Sequence, residues 1–152
     1  MNSRTPKGQL FTEIVLENFS LSGLLVTTGD KMTKPLGLNS ARWKILGALA
    51  QAQSQSDTLL TVSQVARRMG QSRQAVQRLV DLMEKGDLLS FKDNPNHKRA
   101  KLLALTKKGE SAYKEMDTIQ APWANQTSEG ISVSDLETTL LTLKKISQQL
   151  KG

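Results

Sequence analysis

The stretch from Thr61 to Gly86 constrains the fold of this chain more than any other, because every helix boundary in it is marked. Thr61 and Gln64 have the spacing of a capping box, in which two side chains satisfy free backbone N–H groups at the start of a helix. Gly70 suits the left-handed conformation that ends a helix, and Ser72 can cap the next one. The stretch therefore predicts two short helices joined by a glycine-containing turn, a helix-turn-helix.

The second of these helices has two faces of opposite character. Apolar residues at helical spacing mark one face. The other face carries two arginines and two glutamines, namely Arg73, Gln74, Gln77 and Arg78. On a helix lying in the DNA major groove, arginine binds guanine and glutamine binds adenine through paired hydrogen bonds. An ordinary solvated helix surface is the alternative for this face.

A β-hairpin with a basic tip is predicted immediately after the helix pair. Leu88–Phe91 and Lys101–Leu105 are short strand candidates, and the Asn-Pro-Asn sequence between them indicates a turn. The tip carries Lys92, Lys98 and Arg99. A hairpin in this place is typical of a wing, whose arginine enters a narrow, electronegative minor groove. The alternative is a surface hairpin whose lysines only aid solubility.

The positive charge of the chain is concentrated around these elements. Residues 61–108 hold eleven Lys and Arg against four Asp and Glu, a net of +7, which equals the net charge of the whole chain. Residues 1–60 carry +2 and residues 109–152 carry −2, so the flanks cancel. A segment this basic more often faces a polyanion than solvent alone. Double-stranded DNA is the favoured partner.

A protein-interaction module is the competing hypothesis from another class. In it, the winged helix would dock an acidic partner through its basic face. A docking surface usually carries aromatic anchors. The Arg and Gln face carries none, which favours DNA.

Two helices are predicted before this core. The first runs from Leu10 to about Leu25, is rich in apolar residues and is expected to break at Gly29 and the following stretch 31–37, where Pro35 disfavours helix at Lys34. The second opens at Asn39, a good N-cap, and runs to Ala50. The polar stretch 51–57 is expected to be a loop.

Two further helices are predicted after the core. Thr106 is expected to cap a long helix, which Pro122 kinks or interrupts. Ser134 and Glu137 have capping-box spacing and predict the start of a last helix. Leucines spaced 4, 3 and 7 apart give that helix a heptad-like seam, formed by Leu136, Leu140, Leu143 and Leu150.

Several classes of protein are disfavoured by what the sequence lacks. Phosphate-binding motifs of the GxxxxGK[ST] and GxGxxG types are absent, and one histidine without cysteine leaves few routes to a nucleophile–base pair or a zinc site. No apolar run approaches the roughly 20 residues of a transmembrane helix, and the N-terminus lacks the apolar segment of a secretion signal. We expect a cytoplasmic protein that is not an enzyme, has no cofactor or metal, and does not enter a membrane.

The run Leu59–Gly109 resembles the core of the MarR family of winged-helix transcriptional regulators. Four motifs carry the likeness in matching order and spacing: LTVSQVARRMG, SRQAVQRLVD, EKG and KRAKLLALTKKG. The flanking helices fit in number and length, so the resemblance spans nearly the whole chain.

The resemblance implies a mainly α (α+β) fold in which residues 37–108 form the winged helix-turn-helix core. Residues 1–36 and 109–152 would supply the dimerisation helices of an obligate homodimer, in agreement with the apolar seams. The residues expected at the dimer interface are Leu10, Ile14, Leu21, Leu136, Leu140, Leu143 and Leu150. The residues expected to contact DNA are Thr61, Ser63, Ser72, Arg73, Gln74, Gln77, Arg78, Lys92, His97, Lys98 and Arg99.

The function implied by the resemblance is that of a regulator, a repressor in the leading hypothesis, which binds a pseudo-palindromic operator as a dimer. The family's usual effector, a small aromatic or phenolic compound, binds between the dimer base and the winged helix and releases the DNA. The candidates to line that pocket are Trp43, Leu46, Tyr113 and Met116. Residues of these types are otherwise core residues.

The wing departs from the family pattern at one position. Family wings commonly read Asp-x-Arg, where the acid holds the arginine that enters the minor groove. Here His97 stands in the place of the acid, two residues before Arg99. Either Arg99 is held differently or His97 contacts DNA itself. A pH-sensing histidine and a neutral turn histidine are the other interpretations.

Overall fold

The computed structural model describes residues 3–152. The chain folds into two compact units, one that ends at Thr118 and one that runs from Ile119 to Gly152. In chain order the elements are α1 (Pro6–Thr33), a 3-10 turn (Lys34–Leu36), α2 (Ser40–Ser56), β1 (Leu60–Thr61), α3 (Val62–Met69), α4 (Arg73–Lys85), β2 (Leu89–Lys92), β3 (Leu102–Leu105), α5 (Lys107–Thr127) and α6 (Val133–Lys151). The predicted fold class, mainly α with a small antiparallel sheet, is confirmed.

Helix α1 is longer than the sequence predicted. It passes through Gly29, where a break was expected, and gives way to the Lys34–Leu36 turn only after Thr33. Gly29 is buried, and a Cβ there would lie 3.0 Å from the Cβ of Ser40. The glycine therefore serves the close approach of α1 to α2 instead of ending the helix.

A hydrogen-bonded joint holds this end of α1 against the start of α2. Oδ1 of Asp30 accepts from the backbone N–H of Ser40 at 2.8 Å and from its hydroxyl at 2.7 Å. These bonds, the backbone one foremost, hold the pKa of Asp30 below its ordinary value of 3.8, and the charge of Lys44 acts in the same direction. Because Ser40 is buried, the joint fixes the angle at which the chain enters α2.

Helix α2 begins where the sequence predicted but ends later. Asn39 caps it, with its side-chain oxygen accepting from the N–H of Arg42 at 2.9 Å. The helix continues to Ser56, so the predicted loop at 51–57 is wrong. Ala52 is buried in the core, and this packing carries the helix through a polar stretch that has no apolar periodicity of its own.

One hydrophobic core joins α2, α3, α4, the first half of α5 and the sheet. Its most deeply buried side chains are Ile45, Leu46, Leu49, Val65, Val76, Val80, Met83, Leu89, Leu103 and Met116. The predicted apolar face of α4 lies in this core. The opposite, polar face of α4 is therefore left on the surface.

The sheet has the order β1-β3-β2, with β3 in the middle. Strand β2 pairs with β3 so that Phe91 lies opposite Leu103, as expected for the predicted hairpin. Strand β1, in which Leu60 lies opposite Leu103, was not predicted. Two residues are too short to show a strand period, and the same residues were assigned to the helix start.

Helix α5 is anchored at its start by Thr106, as predicted. The Thr106 hydroxyl oxygen accepts from the N–H of Gly109 at 3.0 Å. Gly109 is buried so closely that a Cβ would lie 1.9 Å from the carbonyl oxygen of Leu88. Pro122 lies inside the continuous helix, so the predicted interruption is wrong. A proline removes one backbone hydrogen bond, which a helix of 21 residues survives.

The N-cap of helix α6 lies two residues before the predicted one. The Ser132 hydroxyl oxygen accepts from the N–H of Asp135 at 3.1 Å, so Ser132 and not Ser134 is the cap. The two serines offer the same three-residue spacing to an acid. The earlier one places Asp135 in the first turn, where a negative charge stabilises the helix dipole.

Both α1 and α6 carry large apolar side chains that this chain leaves exposed. On α1 these are Leu10, Phe11, Ile14, Leu16, Phe19, Leu21, Leu24, Leu25 and Val26. On α6 they are Val133, Leu136, Leu140, Leu141, Leu143 and Leu150. All seven residues predicted at a dimer interface are among them. Exposed apolar surface of this extent marks an interaction site.

The length and composition of the helical stretch Pro6–Leu36 also meet the requirement for crossing a membrane. The sequence still contains no uninterrupted apolar run near 20 residues, and the expectation that the chain does not enter a membrane stays a prediction. A spanning helix tolerates one or two charged residues, whereas the expectation rested on an uninterrupted apolar run, which Glu13 and Glu17 break.

Candidate nucleic-acid interface

The turn between α3 and α4 is fixed by the residues that the sequence singled out. The Thr61 hydroxyl oxygen accepts from the Gln64 N–H at 3.2 Å, and Oε1 of Gln64 accepts from the Thr61 N–H at 2.9 Å, which completes the capping box. Gly70 ends α3 in the left-handed conformation, at a φ of 63°. Ser72 then caps α4 by accepting from the Ala75 N–H at 3.2 Å. These bonds set the direction in which α4 leaves the turn.

Three polar residues form a row along the exposed face of α4. Arg73, Gln77 and Asp81 follow one another at intervals of four residues, so they lie one above the other. The side-chain Nε2 of Gln77 donates to Oδ1 of Asp81 at 2.9 Å. Gln74 and Arg78 are exposed beside this row.

The tip of the wing, residues 93–101, has a shape held by local hydrogen bonds. Oδ1 of Asn94 accepts from the N–H of Asn96 at 3.0 Å, and the Asn94 carbonyl accepts from the N–H of His97 at 3.3 Å. The ammonium of Lys101 donates to the Asp93 carboxylate and closes the base of the tip. That hydrogen bond, followed by the Lys101 charge, lowers the pKa of Asp93. The tip is therefore an ordered turn.

The carboxylate of the wing tip does not hold Arg99. His97 occupies the place of the usual acid, and the sequence left open how Arg99 is held. Asp93 is the carboxylate of the wing tip, and it binds Lys101 instead of Arg99. Among residues 3–152 this is the one ion pair, so Arg73 and Arg99 face solvent without a carboxylate partner.

A cleft of about 790 Å³ separates α4 from the wing. The residues lining it are Thr61, Val62, Ser63, Arg73, Gln77, Asp81, Phe91, Asn94, His97, Arg99, Ala100 and Lys101. Three cationic side chains line this cleft, against one carboxylate. The apolar side chains of Val62 and Phe91 lie at its floor against the core. A cleft in which positive charge predominates concentrates ligands of negative charge.

The cleft brings together six of the eleven residues predicted to contact DNA. They are Thr61, Ser63, Arg73, Gln77, His97 and Arg99. The hydroxyl oxygen of Thr61 is also engaged in capping α3. The other five lie outside the lining: Ser72 caps α4, and Gln74, Arg78, Lys92 and Lys98 are exposed on α4 and the hairpin.

Sequence reasoning missed three polar residues of the cleft, Asp81, Asn94 and Lys101. The four-residue spacing from Arg73 through Gln77 would have found Asp81, but an acid was not sought on a DNA-binding face. Lys101 was assigned to the start of a strand, and its place in the cleft depends on the hairpin register. Asn94 was treated only as a turn residue.

The four residues predicted to line an effector pocket lie apart from this cleft. Leu46 and Met116 are buried in the core, and Trp43 and Tyr113 are half-buried and pack against it. Trp43 lies beside the joint, because a Cβ built on Gly29 would lie 3.5 Å from Cζ3 of Trp43. Tyr113 lies near Gly47 of α2.

The chain is similar in sequence to one known family and to a relative of comparable length. The sequence model of the MarR family matches residues 36–100. An uncharacterised protein of Mycobacterium tuberculosis, Rv2011c, is 30% identical over 139 residues, which cover 91% of this chain and 93% of that protein.

Two solved structures share the fold over most of their length. CouR from Rhodococcus jostii, solved bound to p-coumaroyl-CoA, has a TM-score of 0.77 at 22% identity and covers 88% of this chain and 91% of its own. MepR from Staphylococcus aureus, solved in complex with DNA, has a TM-score of 0.71 at 18% identity and covers 97% of this chain and 99% of its own.

Proposed function

The chain belongs to the MarR family of transcriptional regulators and binds DNA, and from this premise we propose that it is a homodimeric repressor of a pseudo-palindromic operator, released by a small aromatic ligand. It acts in the cytoplasm and catalyses no reaction. In this division of labour, residues 37–108 bind DNA, and residues 1–36 and 109–152 supply the subunit interface.

The observation that carries the proposal is the cationic cleft between α4 and the wing. Arg73 and Gln77 stand on the exposed face of α4, near the end that enters a major groove. Arg99 and Lys101 line the opposite wall. A duplex seated here meets base-reading side chains on one wall and phosphate-binding or minor-groove side chains on the other. MepR, which has the same fold, was solved in complex with DNA, and this supports DNA as the ligand.

The exposed apolar faces of α1 and α6 support a dimer. Leu10 is 63% exposed and Leu140 is 54% exposed in the single chain. Burying one such side chain contributes about 1.5–3 kcal/mol, so a second copy that covers both faces would be held strongly. A membrane would cover α1 less well, because Glu13 and Glu17 would enter hydrocarbon at a cost of several kcal/mol.

A subunit interface can be separated from other uses of these faces by substitution. Leu140→Glu is expected to move the protein from dimer to monomer in sedimentation velocity at micromolar concentration. Thr138→Glu adds the same charge to α6 at an exposed position outside the leucine seam, so it should leave the dimer intact. A dimer that survives Leu140→Glu would exclude α6 from the interface.

An effector site beside the α1–α2 joint is the finer part of the proposal. Trp43 and Tyr113 are half-buried, with Leu46 and Met116 behind them, which gives an aromatic and apolar environment. The ligand bound by CouR carries a p-coumaroyl group, which is phenolic, and so supports this ligand class. A ligand that favours one dimer geometry would change the spacing of the two α4 helices and release the DNA.

The proposal is tested by selecting duplexes from a randomised library and measuring binding to the enriched sequence at physiological salt. An inverted repeat whose half-sites lie about one helical turn apart, bound by one dimer, is expected. Equal binding to the enriched and random duplexes would refute operator recognition. Arg73→Ala should cost about 1–3 kcal/mol at one base pair of each half-site, whereas uniform weakening on every sequence would make Arg73 a phosphate contact.

A further inference from the structure

Asp81 is the one carboxylate in the lining of the cleft that faces DNA. It stands on α4 in the same row as Arg73 and Gln77, opposite a wing wall that carries Arg99 and Lys101. An exposed acid here repels the phosphate backbone and so works against binding to any duplex. A residue that lowers affinity for DNA at this position is expected to serve another function.

The hydrogen bond from Gln77 to Asp81 indicates what that function is. Nε2 of Gln77 donates to Oδ1 of Asp81 at 2.9 Å. A carboxylate only accepts hydrogen bonds, so it can face the NH₂ group of the amide but not the carbonyl. The ends of a glutamine amide have nearly the same shape, and an unrestrained one can turn either end toward a base. Asp81 therefore fixes the orientation of the Gln77 amide, with the NH₂ group toward the carboxylate and the carbonyl oxygen away from it.

The fixed amide has the arrangement that adenine requires. One N–H of Gln77 is held by Asp81, which leaves its second N–H and its carbonyl oxygen free. Adenine offers, in the major groove, an acceptor at N7 and a donor at N6, and glutamine can satisfy both together. A restrained amide loses less conformational freedom on binding than a free one.

We propose that Asp81 is a specificity-determining positioning residue: it orients the Gln77 amide to read adenine, and its charge lowers affinity for unrelated DNA. This inference rests on the proposed operator binding. It predicts that removing Asp81 raises affinity for random duplex while it weakens discrimination at one base pair, the same one that Gln77 reads.

The test compares variants of the full-length protein on one randomised duplex library, with base preferences read by sequencing. Gln77→Ala should reduce the preference for adenine at one position of each half-site by about 5- to 100-fold. Asp81→Ala and Asp81→Asn should reduce it at that position by about twofold, the size of an i, i+4 Gln–Asp contribution. Asp81→Glu keeps an acceptor-only group and should restore the preference.

Glu84→Gln is the matched control for charge. Glu84 is an exposed acid on the same helix, and it does not line the cleft. Removing its charge should leave every base preference unchanged. Asp81→Asn should also tighten binding to random duplex more than Glu84→Gln does, with the difference shrinking as salt rises.

The outcomes separate this inference from the function on which it rests. If wild-type protein enriches no sequence, operator recognition itself is refuted. If wild-type protein enriches an operator but the Asp81 variants keep its adenine preference, or lose preference equally at all positions, the positioning role is refuted. Helical content measured by circular dichroism must match wild type in each variant, so that a loss of preference is not a loss of α4.

Discussion

Replacing Gly109 by alanine should destabilise the winged helix severely, although alanine is the better helix former. A Cβ at this position would lie 1.9 Å from the carbonyl oxygen of Leu88, 3.0 Å from its carbonyl carbon and 3.3 Å from Cδ2 of Leu105. The nearest atoms belong to backbone, so no side-chain rotation relieves the overlap. The start of α5 must move away from the segment that leads into β2.

The magnitude follows from what that movement disturbs. Overpacking a core typically costs about 1–3 kcal/mol. The same junction is held by the Thr106 N–H donating to the Leu88 carbonyl at 3.2 Å and by the Lys108 ammonium donating to the Gly86 carbonyl at 2.9 Å. Two such bonds contribute about 1–3 kcal/mol together. The higher helix propensity of alanine offsets about 1 kcal/mol of this loss in stability. Because backbone cannot yield cheaply, we expect a net loss of about 3–5 kcal/mol.

Urea unfolding followed by circular dichroism, at one protein concentration, measures this loss. With a slope of about 2 kcal/mol per molar urea, the midpoint should fall by about 1.5–2.5 M. Gly47→Ala is the control, because a Cβ there would meet only Cε2 of Tyr113 at 3.8 Å, an ordinary contact. It should be neutral or slightly stabilising. A Gly109→Ala midpoint equal to wild type would show that the junction is not packed as described.

Three further predictions concern the wing, the turn and the joint. Arg99→Ala should weaken operator binding and reduce the slope of log K against log salt by about one; an unchanged slope would remove Arg99 from the phosphate or groove contacts. Thr61→Ala removes the α3 cap and should lower the free energy of unfolding by about 1 kcal/mol, which thermal unfolding can test against the neighbouring Ser63→Ala. Asp30→Ala should destabilise the protein at neutral pH. The folded-state pKa of Asp30 lies below 3.8. Its stabilising contribution is therefore complete well above that pH and is lost as the pH falls through the folded pKa. The difference in unfolding free energy between wild type and variant should shrink in acid and persist at neutral pH.

Local signals in the sequence were enough to predict the helix-turn-helix. The capping box at Thr61, the glycine at position 70 and the cap at Ser72 act within one turn of chain, and each is confirmed. Errors arose where distant packing overrides local preference. Gly29 continues α1 because α2 lies against it, and residues 51–56 remain helical because Ala52 is buried.

The site was predicted in part for the same reason. Arg73 and Gln77 follow from helical periodicity, which is local, and their position on the outer face is confirmed. Their meeting with Arg99 across a cleft depends on the register of β2 against β3, which turn chemistry indicates but does not fix. Lys101 was missed because its place in the cleft depends on the register of the hairpin. Asp81 was missed because the search of this face was for cations and Asp81 is an acid.

The central position of β3 has a consequence for how such a protein diversifies. Both edges of β3 are paired, one with β1 at the start of α3 and the other with β2 after α4. The frame beneath the wing is therefore clamped independently of residues 94–100, which lie beyond the Asp93–Lys101 pair. Insertions, deletions or exchanges there leave the frame in register, so descendants can change the wing tip without disturbing the packing of α4.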